Sequence, residues 1–422
     1  EYSSDDEGYK EDRGLGIVVD ADCNIYVTGL STKSDHTEIV TQKYDTTGVA
    51  LWTKFEDGTV NENGLNGSGL CIAVGASGNV FVGGYITTGT GTDMIAIKYN
   101  SEGTQQWTRA INGGGNEEDK AWGIVVDSYE NSYITGYVTD AVNHADCYTA
   151  KIGSTGNILW EKAYNGGENQ SDKAWGIIVD TDGSVYITGE TTVENNNVNY
   201  LTIKYDNNGN EIWDEFYNGT GSGNDIASAI GIILNADSTK SVIITGKSWG
   251  VDNNYDYATV RYSTVNGSQS QVSRYSMSGI SSDVSKDLAI APDNSVYITG
   301  FSQLIIDMPV APSYVSTMKL NWGQSSELTT IKNSPNKFSL HQNYPNPFNP
   351  STTIAFEIPQ GANVKLVIYD MLGRQTDVLI NQYLNAGSHN ISYSNLNLSS
   401  GIYFYELTAG SYRDIKKMTL IK

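Results

Sequence analysis

Residues 172–189 read Asp-Lys-Ala-Trp-Gly-Ile-Ile-Val-Asp-Thr-Asp-Gly-Ser-Val-Tyr-Ile-Thr-Gly, and residues 119–136 repeat them almost letter for letter. Weaker copies end at Gly29, Gly84, Gly246 and Gly300, so the successive glycines stand 55, 52, 53, 57 and 54 residues apart. A fixed period of this size marks a repeat architecture. The unit that follows residue 172 divides into four short strands. Ala174–Asp180 is apolar and rich in β-branched residues, and Ser184–Thr188 alternates around Tyr186 after a tight turn. Tyr200–Tyr205 is a third strand. The turn Asp206-Asn-Asn-Gly-Asn210 leads into a fourth, Glu211–Tyr217, which carries Trp213.

The other copies keep the order. Strand three returns at 40–44, 95–99 and 258–262, and strand four around Trp52, Trp107 and Trp160. Four strands per roughly 50 residues is the composition of one propeller blade, whose two faces are buried only by neighbouring blades. No helical pattern of useful length occurs before residue 330. The fold expected is all-β: a six-bladed β-propeller of four-stranded blades over 1–332, then a linker at 333–337. The sixth repeat is irregular, with an apolar insertion at 301–312 and its last strands expected at 314–320 and 327–332. With no spare strand ahead of Gly14, closure is expected to rest on blade packing alone.

The repeat pattern at 172–189 resembles the bacterial β-propeller repeats of the SBBP type. That resemblance covers 1–332 and implies a fold more than an activity.

The period stops near Lys332, and four of the eight prolines fall between 345 and 359. Strands expected at 364–369, 387–393, 401–408 and 414–421, with glycine turns between them, give a small immunoglobulin-like antiparallel sandwich over 338–422. This block resembles the C-terminal sorting domain of type IX secretion. The residues that carry the resemblance are Tyr344, Pro345, Asn346, Pro347, Phe348, Asn349 and Pro350, then Tyr369–Arg374 and Gly401–Phe404, and finally Lys417, Met418, Leu420 and Lys422. The resemblance implies the type IX secretion machinery as a partner. It also implies an extracellular or outer-membrane-surface location in a Bacteroidetes-like bacterium. The chain opens without a charged and apolar leader, as expected after removal of a signal peptide.

The net charge of −22 disfavours nucleic acid, which calls for a basic face. No apolar run is long enough for a transmembrane helix. The three cysteines, Cys23, Cys71 and Cys147, occupy non-equivalent positions and are read as unpaired.

Four aspartates share one position before strand one: Asp12, Asp119, Asp172 and Asp283. The equivalent positions in repeats two and five are read as Gly67 and Ala227. A ring of carboxylates at one channel end is a candidate Ca²⁺ site, the only cofactor the sequence offers. The competing expectation is that each carboxylate ties down a loop of its own blade. The acidic turns at 180–183 and 206–210 lack the bidentate glutamate of a Ca²⁺ loop and read as plain turns. The recurring tryptophans 52, 107, 160 and 213 read as packing between blades, and so do Trp122 and Trp175 in the first strands. Trp249, Tyr255 and Tyr257 break the repeat in an Asp/Asn-rich loop and are candidates for stacking on a ligand.

Catalytic signatures are sparse. The four histidines (His36, His144, His341, His389) are scattered over both domains, and neither a G-x-S-x-G elbow nor an H-E-x-x-H pair occurs. The function expected is therefore a non-enzymatic structural or adhesive surface protein. It could self-assemble into a filament or surface layer through its C-terminal domain, as a homo-oligomer or homopolymer, with surface polysaccharide as a further partner. A glycan- or peptide-binding module and a polysaccharide-degrading enzyme stand as alternatives.

Overall fold

The structure, a computed structural model, describes residues 12–33, 36–56, 66–88, 91–115, 117–142, 144–166, 170–193, 197–251, 253–276, 281–304, 313–320, 329–330, 337–359, 361–384, 387–394 and 398–421. Every regular element among them is a strand. The chain divides into two compact units, 1–328 and 329–422.

Six four-stranded antiparallel sheets follow one another, each built from consecutive strands. The first is β1 to β4 (Arg13–Val19, Ile25–Thr32, Thr37–Tyr44, Ala50–Glu56). The second is β5 to β8 (Gly67–Val74, Val80–Thr88, Gly91–Tyr99, Gln105–Ile111), and the third β9 to β12 (Lys120–Val126, Ser132–Thr139, Ala145–Ile152, Ile158–Tyr164). The fourth is β13 to β16 (Asp172–Val179, Val185–Val193, Asn197–Tyr205, Glu211–Tyr217), and the fifth β17 to β20 (Ile226–Leu234, Lys240–Trp249, Tyr255–Ser263, Gln269–Tyr275). The sixth keeps β21 to β23 (Ser281–Ile290, Val296–Leu304, Ser313–Leu320) and a two-residue β24 (Thr329–Thr330). Most of its insertion, 305–312, and most of the linker at 333–337 lie outside the described residues. The arrangement is that of propeller blades. Residues from the first strands of all six sheets line one common space of about 380 Å³.

The glycine that ends each copy of the repeat has a specific cause. Opposite it, the first strand skips one register position, at Leu15, Leu70, Trp122, Trp175, Ser228 and Lys286. Such a bulge bends the first strand into its neighbour. A Cβ on Gly29, Gly84, Gly136, Gly189, Gly246 or Gly300 would stand 1.8–2.1 Å from the backbone oxygen of Arg13, Ser68, Lys120, Lys173, Ile226 or Val284. Glycine is needed there because backbone occupies the place of a side chain.

The recurring tryptophans of strand four join one sheet to the next. The indole N–H of Trp52, Trp107 and Trp160 donates to the carbonyls of Ser101, Ser154 and Asn207 at 3.1, 3.1 and 3.0 Å. Each acceptor lies in the β3–β4-type hairpin of the following sheet. Trp213 reaches Thr264 in the same way at 3.5 Å. Beside each indole a lysine of strand three (Lys43, Lys98, Lys151, Lys204) lies 4.9–5.3 Å over an aromatic ring of strand two and reaches the same hairpin. The repeat therefore encodes a latch as well as a core. In sheet five Gln271 pairs with Arg261 where sheets one to four pair tryptophan with lysine.

Among the described residues, no tryptophan latch reaches the hairpin of sheet one. Gly48, in its hairpin, has nothing within 4 Å of a Cβ, whereas Gly103, Gly156 and Gly209 each meet the tryptophan ring of the preceding sheet. Ile17 is 69% exposed, against 8% for its counterpart Ile177 in sheet four. Leu15 and Val19 are exposed with it. An apolar seam thus runs along β1.

One carboxylate within these sheets carries a pH signature. Asp146, in β11, has a buried oxygen without a hydrogen-bond partner. Burial, reinforced by the charges of Asp140 and Asp172, pushes its carboxyl up to about 6. A carboxyl raised by folding is favoured in its neutral form. Its stabilising contribution is complete below the ordinary carboxylate range and is lost as pH climbs through about 6. Asp146→Asn keeps the shape without the charge. Its urea midpoint is expected to match the parent at pH 4 and to exceed it increasingly from pH 5 to 7. A difference that does not change with pH would overturn this assignment.

The second unit is a sandwich. One sheet runs β25-β26-β29 (Ser339–Leu340, Ser351–Ile358, Gly387–Ser394). The other runs β28-β27-β30-β31, with β27 at Ala362–Tyr369, β28 at Gln375–Leu384, β30 at Gly401–Ala409 and β31 at Tyr412–Leu420. Its core includes Phe348, Phe356, Leu366, Tyr405, Leu407 and Met418. The sequence had indicated β27, β29, β30 and β31. It had missed β26, which follows the proline run, and β28, whose residues are mostly exposed and polar.

Candidate functional site

The bulges that crowd the glycines also re-aim six side chains toward the centre of the sheet array. These are Leu15 and Leu70, then Trp122 and Trp175, then Ser228 and Lys286. One position of the repeat thus carries leucine twice, tryptophan twice, a serine and a lysine, while the residue before it is always small (Gly14, Gly69, Ala121, Ala174, Ala227, Ser285). Bulges are frequent where a side chain must be aimed.

A cavity of about 490 Å³ opens beside this ring. Trp122 and Trp175 form one wall, with Glu190 from β14 next to them. Ser228 and Lys247 come from sheet five, and Lys286 from sheet six. The two indoles meet edge to face, ring centres 5.1 Å apart at 71°. Tyr137 supports Trp175 from behind, at 6.4 Å and 72°. Trp122 remains 37% exposed. Lys247 lies 4.6 Å over the ring of Tyr255, and Lys286 lies 5.8 Å over that of Phe301, which orients both ammonium groups.

The charges are coupled. Burial raises the Glu190 carboxyl, while Lys173 and Lys247 pull it back down. Burial depresses the Lys247 ammonium, with repulsion from Lys286 adding to it and Glu190 opposing. The cavity lining sets Lys247 and Lys286 against Glu190, a local charge of 2 − 1 = +1 in a chain of −22. Field lines of that sign in a cleft concentrate anions.

The aspartates expected to form a Ca²⁺ ring are not brought together. Asp119 accepts from the backbone N–H of Gly113 and Thr139 at 2.7 and 2.6 Å. Asp172 accepts from Gly166 and Thr192 at 2.6 and 3.2 Å, and Asp12 from Thr32 at 2.9 Å. Each carboxylate fastens the end of its own second strand, and Asp119 and Asp172 also hold the loop entering their sheet. Asp283 is buried at the matching place, across from Ser302. Among the described residues no group of three or more His, Cys, Asp or Glu side chains is placed to hold a metal. The repeat-five counterpart is Asp225, not Ala227. It accepts from Gly219 at 2.7 Å and from Trp249 at 2.9 Å. The register pairs Gly246 with Ala227 as it pairs Gly189 with Ala174, so the aspartate stands two residues further back in both. The sequence reading missed it because β17 and β18 are longer than β13 and β14, which moves the aspartate further from its glycine.

The expected aromatic triad divides. Tyr257 is 1% exposed, with its ring in the core, which removes it from any ligand's reach. Trp249 packs edge-on against Tyr255 at 4.8 Å and covers the backbone of Gly221 and Gly223. Tyr255 supports Lys247 and so contributes to the cavity indirectly. The pair read as core, Trp122 and Trp175, is the one that lines the cavity. The signal available in the sequence was the changing occupant of a position inside an otherwise constant repeat.

In the sandwich, the two distant parts of the sorting motif are physically joined. Phe348 is buried, its N–H donates to Thr419 O at 2.9 Å, and its carbonyl accepts from Ile421 at 2.9 Å. Asn346 Oδ1 accepts from the Thr419 N–H at 2.9 Å, and Gln342 donates to Lys417 O at 2.7 Å. The peptide bonds before Pro345 and Pro347 are cis. Met418 and Leu420 are buried beneath this segment, Tyr344 is exposed, and Lys422 lies outside the described residues.

Residues 342–422 match the family described as the secretion system C-terminal sorting domain. That match supports export by type IX secretion and an extracellular or cell-surface location. No curated protein matches the chain. Among solved structures, PorZ, a surface component of the type IX secretion system of Porphyromonas gingivalis, aligns at 12% identity and TM-score 0.39 over 96% of this chain. The alignment spans 59% of PorZ. The β-propeller domain of the Trilobed protease from Pyrococcus furiosus aligns at 8% identity and TM-score 0.36, over 84% of this chain and 95% of that one. A protein of unknown function from Dyadobacter fermentans aligns at 7% identity and TM-score 0.38, over 91% and 95%. At these scores the likenesses bear on no residue of this chain.

Proposed function

We propose that this is a secreted or cell-surface, non-enzymatic adhesion protein. It is a six-bladed propeller of SBBP type, exported through its C-terminal sorting domain, and it holds its ligand in the cavity beside the bulge ring. The observation that carries this reading is the convergence of Trp122, Trp175, Glu190, Lys247 and Lys286, from four sheets, on one opening of ligand-sized volume. Among the described residues Glu190 is the one carboxylate on the cavity wall, where glycoside hydrolysis uses two, and this favours binding over hydrolysis.

The test is a mixed array of surface glycans and peptides, probed with the parent protein and with Trp122→Ala. Trp122 is exposed, so its removal is expected to leave the melting temperature within a few degrees. Ligand signals are expected to fall about tenfold, the scale of one lost aromatic contact near 1.4 kcal/mol. An array with no hits, or hits that survive Trp122→Ala, would sink the reading.

A second reading, self-assembly into a filament or surface layer, draws on the unlatched apolar seam of Leu15, Ile17 and Val19. Light scattering that stays at the monomer mass across concentration would dismiss it.

A further inference from the structure

We infer that the cavity beside the bulge ring takes a carboxylate-bearing sugar, a uronic acid residue within a polysaccharide; this rests on the binding reading just given and narrows it. Three features of the cavity converge on that class.

The first is the aromatic wall. Trp122 and Trp175 present two indoles in fixed mutual geometry, one of them open to solvent and the other braced by Tyr137. A pyranose ring has a rigid apolar C–H face that covers such a surface with little loss of its own freedom, whereas an aspartyl or glutamyl side chain is flexible and has no ring to stack. The Trp175 indole nitrogen is buried and makes no well-formed hydrogen bond, although it lies close enough to Glu190 to favour the carboxylate. A hydroxyl between the two would satisfy both.

The second is the cation pair. Lys247 and Lys286 line the cavity together and repel one another. Each is held over an aromatic ring, so they are positioned before any ligand arrives. Two like charges brought together without an equal number of carboxylates are relieved by an anion between them. A neutral sugar leaves that repulsion in place.

The third is the contrast with the rest of the chain. With 48 acidic against 26 basic residues, the molecule repels polyanions in general. A dense polyphosphate such as nucleic acid would meet that repulsion along its whole length. A polysaccharide with carboxylates on single rings can place one of them in the positive opening and leave the remainder in solvent. Glu190 then accepts from sugar hydroxyls, which a carboxylate does and a lysine cannot.

Titration calorimetry of the full chain tests this with three probes: a galacturonate hexamer, cellohexaose, and a hexaglutamate peptide. The galacturonate hexamer is expected to bind at least about tenfold more tightly than the other two, with affinity that falls as salt rises. Lys247→Gln with Lys286→Gln is expected to remove that preference and the salt dependence, with circular dichroism and melting temperature reporting that the fold is kept. Trp122→Ala is expected to weaken the hexamer about tenfold with the salt dependence retained. Cellohexaose bound as tightly as the galacturonate hexamer, or a preference that survives the double lysine variant, overturns the acidic-sugar inference and leaves the binding reading standing. Hexaglutamate bound in preference overturns it in favour of an acidic peptide. Failure of all three probes to bind the parent protein overturns the inference, and the array of glycans and peptides then decides separately whether the binding reading survives.

Discussion

Replacing Gly189 by alanine is expected to cost on the order of 3 kcal/mol, at the upper end for added bulk, and to reduce soluble yield sharply. The added carbon would lie 1.9 Å from the Lys173 carbonyl oxygen and 2.7 Å from the Ala174 Cα, and both obstacles are backbone. A side chain could rotate away; a strand paired along its length cannot. Relief requires flattening the bulge at Trp175, which shifts the register of β13 against β14 and turns residues from one face to the other. The damage therefore reaches the cavity, because Trp175 is aimed by that bulge. Gly48→Ala supplies the comparison. It sits at a φ of 84° with nothing within 4 Å, so only the left-handed backbone opposes it, a cost of about 1 kcal/mol. Urea midpoints of the two variants, measured side by side, check the claim. Equal losses would mean that the repeat glycine serves chain flexibility and not close approach.

Trp213→Ala is expected to destabilise by about 4 kcal/mol. Its ring is buried between Tyr186 of its own sheet and Tyr262 of the next, at 6.0 and 6.4 Å, and it covers the turn at Gly267. Removing it opens a space that the hydrogen-bonded sheets cannot collapse to fill, and it leaves the Thr264 carbonyl with Lys204 alone as its latch. Trp122→Ala deletes the same side chain from a site open to solvent and is expected to cost less than about 1 kcal/mol. Thermal melts of both variants decide the matter. If they lost similar stability, neither the latch nor the open cavity wall would be as described here.

These two tryptophans also mark what was legible in the sequence. Strand three and the hairpin after it are local, and the Tyr-Asp-Asn-Asn-Gly-Asn pattern at 205–210 exposes them directly. The six-fold glycine was equally visible, but its reason was not, since the crowding carbonyl belongs to another strand. The latch is longer in range still: Trp160 and Asn207 are 47 residues apart, and nothing in either stretch names the other. Asp225 was hidden by two extra residues in each of two paired strands. Trp122 and Trp175 were assigned to the core because recurrence suggested packing, whereas each sits at a one-residue bulge and lines the cavity. The sorting segment was recognisable from its prolines and aromatics, yet its attachment to β31 through Asn346 and Phe348 could be seen only in three dimensions.

The latch has a direction, and that direction matters on the ribosome. Every tryptophan that donates is synthesised before the carbonyl that accepts from it: Trp52 before Ser101, Trp107 before Ser154, Trp160 before Asn207, Trp213 before Thr264. At about 5–20 residues per second, each newly made sheet waits roughly 2–10 s for its catch to emerge. Sheet one precedes the other five sheets in the chain. The array can therefore be built in the order in which it is read, with the sorting domain following in the chain only after the last of the six sheets.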